Sequence, residues 1–280
     1  MQMFMILNIV LIIMSSSALA AQLLITPKDF GSSKIELDLL LDHQSKRFQF
    51  DTAGKSTSLA PDKQTLAYPS LGKSTLKGAS GIPMECDVVQ PERIFIDSKK
   101  ILRPVLNRCD FGNQSFNNLG LDLLDKLIFD LNFRDSQLKV LSRRPSGFLF
   151  QPLIRLPKGH IKIPVGLDKR KTNAIFDTGW LVTSVDSRYV EQNHGMFKFL
   201  KKETGVDIGG NPVTFNLYEV ASLSIGNLSL NKVIVSTFDF GDDLRNYFGS
   251  DAPIILGTNV IAHANWIIDL KSNLWNIQNL

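Results

Sequence analysis

An internal repeat restricts this chain more than any other feature. Residues 35–58 recur at 161–184 without a gap, at a constant spacing of 126: Ile35 answers to Ile161, Leu37 to Ile163, Asp42 to Asp168, Phe50 to Phe176, Thr57 to Thr183 and Ser58 to Ser184. Agreement at that many positions marks a tandem duplication, so the mature chain is expected to fold as two related units. Inside the register lie two acid-bearing copies, Phe50-Asp51-Thr52-Ala53-Gly54 and Phe176-Asp177-Thr178-Gly179-Trp180. Each delivers a carboxylate at the end of an apolar run, where an unpaired charge is costly.

The local pattern is that of strands. Lys34-Ile35-Glu36-Leu37-Asp38-Leu39 and His160-Ile161-Lys162-Ile163-Pro164-Val165 alternate polar and apolar residues with period two. Polar turns follow at 42–46 and 168–172, and a return strand leads into each acid. Further on, 76–89 and 206–223 read as hairpins with tips at Gly78-Ala79-Ser80-Gly81 and Gly209-Gly210-Asn211-Pro212. A second hairpin follows in each half, at 93–106 with its turn at 97–100 and at 221–235 with its turn at Gly226-Asn227. With the first of these turns centred near Ser98, antiparallel pairing sets Cys86 opposite a residue close to Cys109.

Each half closes on a related stretch, Asn118-Leu119-Gly120-Leu121 to Phe129-Asp130-Leu131 and Ile255-Leu256-Gly257-Thr258 to Ile268-Asp269-Leu270. Short helices are expected at 122–126 and 259–263, and a longer one at 187–200 capped by Asp186 or Ser187. Asp130 and Asp269 read as turn or strand-end residues with solvated carboxylates. Ser142 to Gly147 has linker chemistry, which divides the mature chain into units at 21–145 and 146–280.

The leading residues differ from the rest. An apolar run from Phe4 to Met14, three serines and Ala18-Leu19-Ala20 read as a secretory signal over 1–20, too short for a comfortable membrane span. Export to the periplasm or beyond is the expectation, with no membrane span left after cleavage. In an exported chain Cys86 and Cys109 read as one disulfide; in a cytosolic one they would be two buried thiols. The 31 basic and 27 acidic residues interleave, giving a formal charge of +4 without a basic run, so no nucleic-acid partner is expected. Four scattered histidines and two separated cysteines form no metal-ligand spacing, and no cofactor is expected. Each histidine reads as a surface or packing residue.

Two small β-rich repeats tend to pack about a pseudo-twofold axis, which would bring Asp51 and Asp177 together. Neighbouring carboxylates cannot both ionise cheaply, so they would share a proton and could activate a water between them. At these residues the chain resembles the aspartic peptidases, retropepsin-like in the size of each unit and pepsin-like in carrying two units in one chain. The resemblance rests on the two acid-Thr motifs, the Gly-rich hairpins and Ile255-Leu256-Gly257, and it covers most of the mature sequence.

The resemblance implies an all-β fold of two β-barrel lobes with a few short helices, and an endopeptidase with Asp51 and Asp177 as its catalytic acids. Thr52 and Thr178 would brace the two active-site loops, which also contain Ala53, Gly54 and Gly179. Gly78, Gly81, Gly209 and Gly210 would belong to flaps over a peptide cleft, and the enzyme would work as a monomer on a peptide or protein substrate. The alternative is a catalytically silent module that binds extended peptides or an envelope partner. Three positions depart from the family pattern: Ala53 stands where it has Gly, Trp180 where it has a small or hydroxyl residue, and Asn118 where it has an apolar one.

Overall fold

A computed structural model describes residues 21–78, 81–112, 116–206 and 210–280. The segment 1–20 read as a signal, Ala79 and Ser80 of the first hairpin tip, and Gly209 lie outside the described residues. Strands make up 53% of the structure and helices 12%, which fixes the class as all-β. No helix among the described residues is long and apolar enough to cross a membrane.

The period-two alternation becomes two equivalent hairpins. Ser33–Leu41 pairs with Gln44–Phe50, and Ile161–Leu167 with Arg170–Phe176. Ile35, Leu37, Leu39 and Leu41 all point inward and are fully buried, as are Phe48 and Phe50 on the return strand. The corners are tighter than the sequence suggests, because Gln44 already pairs with Leu41 and Arg170 with Leu167. Asp42 and Asp168, equivalent in the repeat, both adopt positive φ there, at 52° and 45°. Asp tolerates this left-handed corner better than most residues.

Beyond the acids the strand pairing repeats as well. Phe50 lies parallel to Leu119 as Phe176 does to Leu256; Asn118 is antiparallel to Ser58 as Ile255 is to Ser184; Ser58 is parallel to Asn107 as Ser184 is to Ser236. The loops that carry Asp51 and Asp177 are thus each clamped between strands of fixed register. The spacing between equivalent residues has grown from 126 at the acids to 137 at Asn118 and Ile255, because the intervening hairpins are longer in the second half.

A sheet of fifteen strands contains most of the first half and the closing strands of both, and a second sheet of eight strands belongs to the second half. The closing strands Ile128–Asn132 and Ala264–Asp269 pair with each other, Phe129 opposite Ile268 and Leu131 opposite Trp266. Trp266 is fully buried and packs edge-on against Phe176 at 4.8 Å, tying this shared ladder to the base of the second acid loop.

Two expectations need revision, and one helix was not expected. The helix expected at 187–200 stops at Gln192, and Phe197–Val206 is a strand paired along Pro212–Ile225. The Asn193 amide folds back onto the Tyr189 carbonyl, ending the helix, and Phe197 is then buried opposite Val220. Asp269 is not solvated: it is fully buried, accepts from the Ser272 N–H and meets Arg144 at 3.2 Å. The eight-residue helix Gly241–Phe248 has no counterpart in the sequence reading. The short helices Leu121–Leu124 and Thr258–Ile261 fall within a residue or two of expectation.

Candidate active site

Thr52 and Thr178 hold the two acid loops against each other by a reciprocal exchange. The Thr52 N–H donates to Thr178 Oγ1 at 3.0 Å and the Thr178 N–H to Thr52 Oγ1 at 3.1 Å. Each hydroxyl then donates to a carbonyl of the opposite half, Thr52 Oγ1 to Phe176 and Thr178 Oγ1 to Phe50, at 2.9 and 2.8 Å. All four bonds are buried and run between residues that end equivalent strands. Thr is suited to this position because one hydroxyl both accepts and donates. The repeat therefore meets itself at this point, and the acids preceding the two threonines face each other.

Asp51 Oδ1 accepts the N–H groups of Ala53 and Gly54 at 2.9 and 2.6 Å. Asp177 Oδ1 accepts those of Gly179 and Trp180 at 2.8 and 3.1 Å. A Cβ on Gly179 would fall 2.6 Å from Asp51 Cγ, so only glycine lets the carboxylate of one half lie on the loop of the other. Asp177 is buried and Asp51 half-buried. Burial, reinforced by the Asp51 charge, holds the Asp177 carboxyl well above the usual carboxylate range, while the Gly179 and Trp180 N–H groups act the other way. Two coupled carboxyl groups sharing a buried, hydrogen-bonded site can hold one proton between them and move it to or from a water or a carbonyl.

No family model and no curated protein matches the chain. Its own geometry therefore carries the reading of the site.

The positions that depart from the family pattern have distinct placements. Asn118 Nδ2 donates to Asp51 Oδ2 at 2.9 Å, a contact that spans 67 residues and that sequence reasoning missed. Trp180 does not lie over the acids. Its indole N–H donates to Ser184 Oγ at 2.7 Å and its ring stacks on Phe238 at 5.4 Å, beside the apolar cluster of Ile175, Phe240, Phe248, Ala252 and Ile255. Ala53 packs against the same cluster. Two further residues reach across the halves: Gln49 Nε2 donates to the Gly179 carbonyl at 3.1 Å, and His160 contacts the Ala53 carbonyl. His160 Nδ1 is 2.8 Å from the Tyr247 hydroxyl. Burial lowers its pKa, while the Asp51 charge and the Ala53 carbonyl favour the protonated ring. The strand alternation around Phe48 and Phe50 was the available signal for Gln49, which must point the other way.

The Gly-rich hairpins also form. In the first, Gly72–Lys77 pairs with Pro83–Val89, and the Gly81 N–H closes onto the Gly78 carbonyl at 3.0 Å with Gly81 at φ +73°. In the second, Val206 pairs with Pro212 and Gly210 sits at φ +78° beside the tip. Cys86 and Cys109 are joined by a disulfide and lie directly opposite in the ladder between Pro83–Val89 and Leu106–Cys109. The register implied by a turn near Ser98 is thus kept, although the intervening hairpin Arg93–Ile96 and Lys99–Leu102 turns aside to pair with Ser33–Leu41.

Proposed function

We propose that the chain is an exported aspartic endopeptidase in which two retropepsin-like lobes, related by a pseudo-twofold axis, hydrolyse peptide bonds with Asp51 and Asp177. The observation that carries this reading is the buried reciprocal exchange between Thr52 and Thr178, which brings two equivalent acids into one coupled site. The half-ionised pair takes a proton from a water held between the acids while its protonated member donates to the scissile carbonyl. The proton then passes to the leaving amine, and no covalent intermediate forms. A pocket of about 420 Å³ between the two halves is lined by Lys55, Leu121, Asp122, Arg155 and Leu156; neither Asp51 nor Asp177 lines it, so it is at most a neighbouring subsite. A substrate in extended conformation would pair with strand edges beside the acids, with the two Gly-tipped hairpins serving as its flaps. The disulfide fits an oxidising, exported setting.

The test is cleavage of a peptide library by the chain lacking 1–20, from about pH 3 to 7, the range suggested by carboxyl pairs that share a proton. Asp51→Asn and Asp177→Asn are each expected to lower kcat about 10²- to 10⁴-fold, the span of general acid-base contributions. Cleavage that survives both substitutions would remove the pair from the chemistry. Peptide binding without cleavage by the unsubstituted chain would favour the silent binding module instead.

A further inference from the structure

Equivalent positions in the two halves differ as a matched set. Beside Asp51 stand Gly54 and Asn118; beside Asp177 the same places hold Trp180 and Ile255. The first pair is interdependent. A Cβ at position 54 would fall 2.7 Å from Asn118 Nδ2 and 2.5 Å from Asp51 Oδ2, so the amide reaches the carboxylate only because residue 54 is glycine. In the second half the larger Trp180 turns away to Ser184, and Ile255 joins the apolar cluster, offering no donor. Asp51 consequently accepts three N–H groups, from Ala53, Gly54 and Asn118, and Asp177 accepts two, from Gly179 and Trp180.

The amide is held rigidly. Asn118 is 3% exposed and lies in a strand paired to Gln49 on one side and Ser58 on the other. Its Oδ1 is buried and has no hydrogen-bond partner among the described residues. In the orientation present the amide N–H donates to Asp51 Oδ2, the arrangement that suits an ionised carboxylate at that position.

Building on the peptidase reading, we propose that Asn118 is a positioning residue for the pair: its amide marks Asp51 as the acid that carries the charge and leaves the shared proton on Asp177. Asp51 is then the group that draws the proton from water, and Asp177 the one that donates to the carbonyl. Among the described residues, the charged and titratable groups facing the pair are the acids themselves and His160, which senses the Asp51 charge. The deeper burial of Asp177 favours the same assignment.

The decisive measurement is a carboxyl-carbon NMR titration of the full chain labelled at Asp, compared among the unsubstituted protein, Asn118→Leu and Asn118→Asp. Leu supplies the apolar side chain that the second half tolerates, and Asp keeps the shape of Asn while losing the N–H donors. In Asn118→Leu the lower of the pair's two apparent titration steps should move up by about one pH unit or more, the scale of a single hydrogen bond to a charged carboxylate. The acid limb of kcat/KM should move with it. Asn118→Asp should move the step further, because a third carboxyl is added; it also decides the matter if the Leu variant fails to fold. A step that stays within about 0.3 units in both variants would overturn the assignment. The titration needs no turnover, so a chain that never cleaves peptide would overturn the hydrolase reading while the Asn118 assignment is still judged on the shift.

Discussion

At the scale of the residue, Asp177 concentrates the cost of the site. Its carboxyl is buried against a second acid, so ionising it opposes folding, and its folded-state pKa is raised. The sign follows from linkage: the folded state binds more protons than the unfolded one between the two pKa values, so stability falls as pH rises through that window. Below the ordinary carboxylate pKa this penalty is absent. Asp177→Asn, of the same shape but without charge, should therefore unfold at a higher temperature than the unsubstituted chain at neutral pH, and the difference should vanish toward pH 3. Thermal unfolding followed by circular dichroism across pH checks this. Asp122 and Asp130, also raised by burial, contribute a fall of the same sign to both proteins, so the comparison isolates Asp177.

At the scale of the element, the first Gly-tipped hairpin is anchored by chemistry more than by packing. Its strand Gly72–Lys77 alternates between exposed and half-buried residues and has no fully buried side chain. Its partner strand is held at Cys86, whose disulfide packs with Phe111 in a small cluster that includes Leu76, Met84 and Phe116. The bridge spans 23 residues, and closing a loop of that size stabilises the folded state by about 3 kcal/mol. Replacing both cysteines by Ala should lower the unfolding free energy by about 2–4 kcal/mol in urea denaturation, with loss of structure beginning in this hairpin. Elements of this kind were legible from sequence because turn chemistry and alternation are local: Ile225 and Leu228 pair across Gly226-Asn227 as the glycine and asparagine suggest. The strand Phe197–Val206 was not legible. Its exposed Lys-Phe-Leu-Lys-Lys run suits either helix or strand, and only its partner Pro212–Ile225 decides between them. Asn118 was hidden for the same reason, since its meaning depends on a carboxylate 67 residues away and on the missing side chain at Gly54.

For the whole molecule, the two halves are joined by backbone as well as side chain. The strand Ile128–Asn132 lies between Gln137–Leu141 and the second half's Ala264–Asp269. Residues 21–145 expressed alone would expose that strand's free edge and remove Trp266 from beside Leu131. An uncovered edge is a template for pairing with another chain. The isolated segment should therefore self-associate with increasing concentration in light scattering; a monodisperse monomer would show that the shared ladder is dispensable to it. The repeated strand pairing around the two acids was readable from the ungapped spacing. The way the halves meet was not, because Asp130 and Asp269 look like solvated strand ends until the burial of Asp269 and its contact with Arg144 are seen.

The continuity of the chain has one more consequence. Two identical subunits meeting on a twofold axis would write every substitution twice, so an amide gained beside one acid would also appear beside the other. A single polypeptide removes that constraint: Asn118 can arise without touching Ile255, and Gly54 without touching Trp180. In one polypeptide each acid can keep surroundings of its own, and the unequal neighbours of Asp51 and Asp177 are an asymmetry that an assembly of identical halves could not hold.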